Sequence, residues 1–142
     1  MWSSCLVESH DELFLLVILF DGHNMHKIAE VVVCNMDFSA PAWGKVNMIG
    51  DDWVFLHGGD QIEVSNYRAS CSATEHRLTG NCIYFVNHIA IYENFLHVID
   101  MEKGTEEVQW PFKDFVDPLR PTILDVIYRS SSTDARRVVS TI

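Results

Sequence analysis

The residues able to do chemistry gather in three places. The segment Thr79–His88, TGNCIYFVNH, holds a cysteine, a tyrosine, a histidine and two asparagines. His23 and His26 follow Asp21 in the stretch DGHNMH, a close spacing of metal-ligand residue types. Carboxylates pair at Asp51–Asp52 and cluster in DMEKGTEE, Asp100–Glu107. Each chemistry has a further requirement. A nucleophilic cysteine needs a cation or a helix N-terminus to lower its pKa, and Asn81, Ile83 and Tyr84 beside Cys82 supply neither. Strand alternation places Cys82, Tyr84 and Val86 on one face and Ile83 and Phe85 on the other. Cysteine is also among the most often buried residues, so Cys82 is expected to be structural. Zinc needs a third and usually a fourth ligand. Cys71 and His76 lie in another loop, and nothing in the sequence joins them to His23 and His26. A solvent-exposed hairpin loop without metal is expected there. His88 and His97 are placed near strand ends, in structural roles. Catalytic carboxylate pairs need opposed positions and shifted pKa values, whereas turn formation accounts for Asp51, Asp60 and Gly104. HGGD lacks the following helix of a phosphate loop, and no G-x-S-x-G elbow occurs. No catalytic residue, metal or cofactor is expected.

The elements that carry these residues are strands. Apolar and β-branched runs alternate with turn signals along most of the chain. CLVES and ELFLLVILF flank a polar hairpin turn. KIAEVVVCNMDF, WGKVNMI, WVFLH and QIEVSN follow, with turns predicted at Gly50–Asp52 and Gly58–Asp60. A polar stretch, Tyr67–Asn81, is expected to separate these from CIYFVNH, with a short helix within Thr74–Leu78. FLHVIDM and EEVQWPF complete the series, and Pro111, Pro118 and Pro121 interrupt what comes after. FLLVILF and AEVVVC are apolar on successive residues, which predicts burial on both faces, as for interior strands of a blade stacked between two others. A faint repeat, VVCNMDFSAPAWGKV against LHVIDMEKGTEEVQW, adds a strand-turn-strand unit of the kind propeller blades use. The expected class is all-β, an antiparallel meander of about three partial propeller blades with little helix.

Composition narrows the function classes. The chain has 142 residues and a formal net charge of −10. Nucleic-acid binding needs clustered Lys and Arg against phosphates. The body of the chain has no such cluster, so nucleic acid and anionic membranes are set aside as partners. Arg129, Arg136 and Arg137 against Asp134 make the last fourteen residues +2, leaving −12 on residues 1–128. That serine-rich basic tail, 129–142, is expected to be mobile, and residues 1–128 to form the folded domain. Four scattered cysteines without a C-x-x-C favour a reducing compartment. LFLLVILF is preceded by acidic residues and is too short to span a bilayer. A soluble protein of the cytoplasm or nucleus is expected.

Two segments together carry a family likeness. Trp43–Ser65 contains Trp43, Val46, Gly50, Asp51, Phe55, Leu56, Val64 and Ser65 in order, and GNCIYF follows at Gly80–Phe85. LVESHDELFLLVILF precedes them. The combination resembles the plant F-box-associated family usually called a domain of unknown function, the KIB-type β-propeller, over roughly residues 5–128. The resemblance implies the substrate-recognition region of an F-box protein, a non-catalytic protein-interaction module. It covers the C-terminal half of a family domain, and no F-box pattern precedes CLVES. Contact with a Skp1-type adaptor of a ubiquitin ligase is therefore not expected. Tyr67 and Tyr92, near loops, are the candidate interface anchors, since tyrosine is enriched at hot spots. His23 and His26 are the candidate loop contacts. The acidic balance favours a partner with a basic patch. Two alternatives stay open, a truncated relic with no independent function and a propeller-face hydrolase or lyase built on His and carboxylate groups. Raw blade edges make the isolated chain an expected oligomer or a marginally stable fold.

Overall fold

The computed structural model describes residues 2–22, 24–60, 66–90 and 93–109. The first sheet is a four-stranded antiparallel meander, with strands β1 (Trp2–Ser9), β2 (Glu12–Asp21), β3 (Asn24–Asp37) and β4 (Ala42–Lys45) in spatial order. The second holds β5 (Trp53–Asp60), β6 (Asn66–Ser72), β7 (Cys82–Ala90), β8 (Glu93–Asp100) and β9 (Thr105–Gln109), in the order β6-β5-β7-β8-β9. A four-residue helix, α1 (Ala73–His76), follows β6, inside the polar stretch where a short helix was predicted. The all-β expectation holds. The described residues make two sheets rather than about three blades, because β5 and β6 join the β7–β9 meander through a parallel β5–β7 pairing.

Local chemistry explains the first hairpin. His10 and Asp11 both have positive φ, 34° and 67°. A two-residue turn of that hand matches the right-handed twist of the flanking strands. It fixes the register Cys5↔Leu16 and Val7↔Phe14. Cys5, Val7, Phe14, Leu16, Ile18 and Phe20 then share one face. They meet Phe55, Ile83 and Phe85 of the second sheet in a common core, where Phe14 and Phe55 pack edge to face at 5.1 Å. Full burial of each such side chain contributes about 1.5–3 kcal/mol. Val54, Leu56, Cys82, Tyr84 and Val86 build another core on the opposite face of the second sheet. The predicted division of Cys82–Val86 between two faces is the observed one.

Four expectations are corrected. Gly58–Asp60 is not a turn. These residues stay in β5, with Gly58 opposite both Tyr67 and Val86, because strands on either side hold them in the ladder. The polar stretch after Tyr67 is not all loop, since β6 pairs with β5 through Ser72 and buries Ala69 and Cys71 between polar neighbours. His97 does not cap a strand end. It sits inside β8, wholly buried. Finally, neither FLLVILF nor AEVVVC is buried on both faces, since β2 is buried on alternate residues and, of Ala29–Cys34 in β3, only Val33 is buried. His23, Tyr92, residues 61–65 and 110–142, and with them the end of the predicted domain and its tail, lie outside the described residues. No helix among the described residues is long and apolar enough to cross a membrane.

Candidate functional site

The two segments that carried the likeness meet in space. Asn81, in the left-handed region at φ 56°, is the joint between them. Its N–H donates to the Trp53 carbonyl at 2.8 Å, its Oδ1 accepts from Ile49 N at 2.9 Å, and its carbonyl accepts from Met101 N at 3.0 Å. The Ile49–Trp53 loop and the start of the β8–β9 turn are thus both tied to one residue. Gly80 beside it lies against Asp51, so that a Cβ at this position would overlap the Asp51 carbonyl oxygen and stand 2.8 Å from its carbon. Gly50 takes φ 119°, and a Cβ there would press on the Trp53 ring. Asp52 closes the other side. Its carboxylate accepts from the Thr74 hydroxyl and N–H and from the Ser72 hydroxyl, at 2.6, 2.9 and 2.7 Å. Chiefly the Thr74 hydroxyl, and then that of Ser72, hold its pKa below the ordinary carboxylate value.

This joint sets where β8 ends and the β8–β9 turn begins. The Asp100 carboxylate accepts from the N–H groups of Glu102 and Lys103, both at 3.0 Å. Gly104, at φ 65°, returns its N–H to the Asp100 carbonyl. The turn faces β3 and β4 across a cleft of about 600 Å³. The two sheets touch on the opposite side, where the Ser70 hydroxyl donates to Ser9 Oγ at 2.7 Å and Ser3 Oγ lies 3.0 Å from His57 Nε2. On the β4 and β9 side the space between them stays open. Val31, Val33, Val46, Ile99 and Met101 give the cleft apolar walls. Glu30, Asp100, Glu102 and Glu106 line it against Lys45 and Lys103, four carboxylates to two ammonium groups. β9 is exposed along its length, but the Glu106 side chain is partly covered, and that desolvation pushes its carboxyl above the ordinary range. Its Oε2 stands 3.7 Å from Nδ1 of His97. His97 closes an aromatic row across the sheet, with Phe85 stacked between His57 at 5.1 Å and His97 at 5.7 Å.

The predicted site residues are not brought together here. His23 and Tyr92 lie outside the described residues, and His26 and Tyr67 fall within β3 and β6. Cys82 is buried, and desolvation, with the Asp100 charge adding to it, raises its thiol to about 11. Among the described residues no three His, Cys, Asp or Glu side chains form a metal-binding group. The cleft itself was missed. Its walls come from Ile28–Asn47 and Ile99–Glu106, and each segment on its own has the look of a turn between strands. The available signal was the carboxylate cluster of DMEKGTEE, which turn chemistry explained in part, since Asp100 does hold its turn.

The chain was compared with known proteins. No curated protein and no solved structure matches it. The model of the KIB1-4 beta-propeller matches residues 2–112, a span that takes in both sheets, the Asn81 joint and the cleft. The chain belongs to the KIB1-4 beta-propeller family.

Proposed function

We propose that this chain is a non-catalytic protein-interaction module, of the kind that recognises substrates in plant F-box proteins, and that its cleft receives an extended basic segment of a partner protein. The observation that carries the reading is the cleft's pairing of apolar walls with a net acidic rim. Apolar walls supply non-directional affinity for alternate side chains of an extended segment. Rim carboxylates steer a basic segment into register and reject an acidic one. The whole chain's charge of −10 acts in the same sense at longer range. Membership of a propeller family supports the reading, because such folds present loops and inter-sheet openings on a rigid scaffold.

The test is selection of displayed peptides on the immobilised full chain. Peptides with Lys or Arg interleaved with apolar residues are expected to be enriched. Glu102→Lys with Glu106→Lys should weaken the selected peptides about tenfold, the effect of roughly 1.4 kcal/mol. Selection without a basic preference, or binding indifferent to the double reversal, refutes the reading.

A further inference from the structure

β9 ends the second sheet beside the cleft. Among the described residues no strand lies beyond it, and its residues are exposed throughout. Half of its backbone is therefore unused by the sheet. Which half follows from the hydrogen bonds at the end of β8. The Met101 N–H donates to the Asn81 carbonyl, on the β7 side, and the Gly104 N–H donates to the Asp100 carbonyl, on the β9 side. Backbone direction alternates along a strand, so Asp100, Val98 and Leu96 turn toward β9 and meet Thr105, Glu107 and Gln109. Glu106 and Val108 are left with N–H and C=O pointing away from the sheet. Side chains alternate too. Glu106 and Val108 lie opposite Ile99 and His97, on the face of the common core and the cleft, and Glu107 lies opposite Val98 on the other face. The register runs without a shift, and TEEVQ holds no proline. The uncovered part of β3, the other open edge on the cleft, is broken by register shifts around Phe20. β9 is guarded only by the charges of Glu106 and Glu107, which repel an acidic neighbour and admit a basic one.

We propose that the partner's extended segment adds to β9 as a further antiparallel strand, and that it carries an apolar residue followed by two basic ones. This rests on the reading of the cleft given above and adds the backbone that binds and the order of residues it takes. In an antiparallel pair, Glu106 and Val108 each exchange both of their free backbone bonds with the residue opposite. The residues opposite Glu106 and Glu107 are basic, one on each face of the new strand. The residue opposite Val108, which is 44% exposed, is apolar. Because the two strands run in opposite directions, the order from N to C terminus is apolar, basic, basic. The middle residue of the three is specific to this mode, since Glu107 does not line the cleft. A second copy of the chain is the poorer occupant. The two-fold register that sets Glu106 against Val108 also sets Glu107 against Glu107.

Amide exchange and titration by nuclear magnetic resonance on the full isotope-labelled chain test this, with a short peptide centred on Val-Lys-Lys as probe. The Glu106 and Val108 amides are expected to exchange freely in the chain alone and to slow about tenfold or more with the peptide. The composition-matched Lys-Val-Lys should bind severalfold more weakly. N-methylation of the peptide's Val should cost about tenfold in affinity, and N-methylation of its middle Lys, whose N–H points away from β9, should cost little. Glu107→Lys should weaken binding severalfold. Val108→Pro should weaken it about tenfold with the urea midpoint near that of the wild type, because proline is tolerated where an edge N–H faces solvent. Binding of basic peptides that responds to Glu102→Lys with Glu106→Lys, but not to Glu107→Lys or to N-methylation at Val, overturns strand addition and leaves the cleft reading standing. No binding of any basic peptide overturns both. Glu106 and Val108 amides already protected in the chain alone overturn the proposal, assigning the edge to a second copy if protection rises with chain concentration and to the chain's own sequence if it does not.

Discussion

Gly80→Ala is the sharpest test of how the fold is held. The new methyl would occupy space taken by the Asp51 carbonyl, with the Asp52 Cα also at 3.4 Å. Neither is the end of a flexible side chain, so one of the two backbone segments must withdraw. Withdrawal separates the turn at Gly80–Asn81 from the loop at Ile49–Trp53. The bonds Asn81 N to Trp53 O and Ile49 N to Asn81 Oδ1 are lost directly, and Met101 N to Asn81 O is strained. At about 1 kcal/mol net for each bond, with the strained one counted in part, the loss is about 2–3 kcal/mol. For a domain of this size that is a fall in Tm of about 10 °C. Gly104→Ala is the contrasting control. Gly104, unlike Gly80, has positive φ and opens onto free space, so alanine there should cost about 1 kcal/mol of backbone strain alone. Urea unfolding followed by far-ultraviolet circular dichroism and by tryptophan fluorescence gives both values. If Gly80→Ala costs no more than Gly104→Ala at an unchanged m-value, the interlock is not what holds these segments together.

Asn81→Ala leaves the Ile49 N–H without its acceptor and should cost about 1–3 kcal/mol in the same assay. Asp52→Asn should flatten the acid limb of the stability curve. The folded pKa of Asp52 lies below its ordinary 3.8, so its contribution is present above 3.8 and disappears as pH falls through the lower folded value; urea midpoints of the two proteins should converge at low pH. Glu106 has the opposite sign. Its folded pKa lies above the ordinary 4.5, so the folded state holds its proton more tightly than the unfolded chain, and that advantage is lost as pH rises through the folded value. Glu106→Gln should therefore be the more stable protein at pH 7, and the difference should vanish near pH 4. Burial raises the Cys5 and Cys82 thiols to about 12 and 11, so neither should react with a thiol reagent until the chain unfolds, a point settled by labelling before and after urea and peptide mapping.

What could be read from the sequence was what depends on neighbours in the chain. The alternation of Cys82–Val86 is a consequence of strand geometry and holds wherever the strand is placed. The His10–Asp11 hairpin and the Asp100–Gly104 turn are likewise local. What could not be read depends on partners distant in sequence. Gly58 and Gly59 look like a turn until β7 is known to lie alongside β5, and β7 is separated from β5 by β6 and α1. β6 looks like a loop because its polar residues outnumber Ala69 and Cys71, and burial of those two small residues is decided by β5, β7 and the segment around α1. The apolar runs of β2 and β3 suggested burial on both faces, but composition along a strand does not say whether anything packs on its second face, and among the described residues that face stays partly exposed.

The same division separates ancestry from recognition. The marker residues Gly50, Gly80 and Asn81, and Asp52 beside the marker Asp51, are spent internally. The two glycines are there for close approach, the Asp52 carboxylate holds Ser72 and Thr74, and the Asn81 backbone and Oδ1 hold the Ile49–Trp53 loop and Met101. A partner that touched these groups would have to replace hydrogen bonds already made, at a loss of about 1 kcal/mol or more each. Specificity therefore has to come from residues that the fold does not need. On the cleft these are Glu30, Glu102, Lys103 and Glu106, which line the opening. Exchanging Glu30, Glu102 and Lys103 for other polar residues should change which peptides are selected while leaving the urea midpoint within about 0.5 kcal/mol of the wild type. Exchanging the marker residues should do the reverse, lowering stability first and affecting binding through the fraction of folded chain.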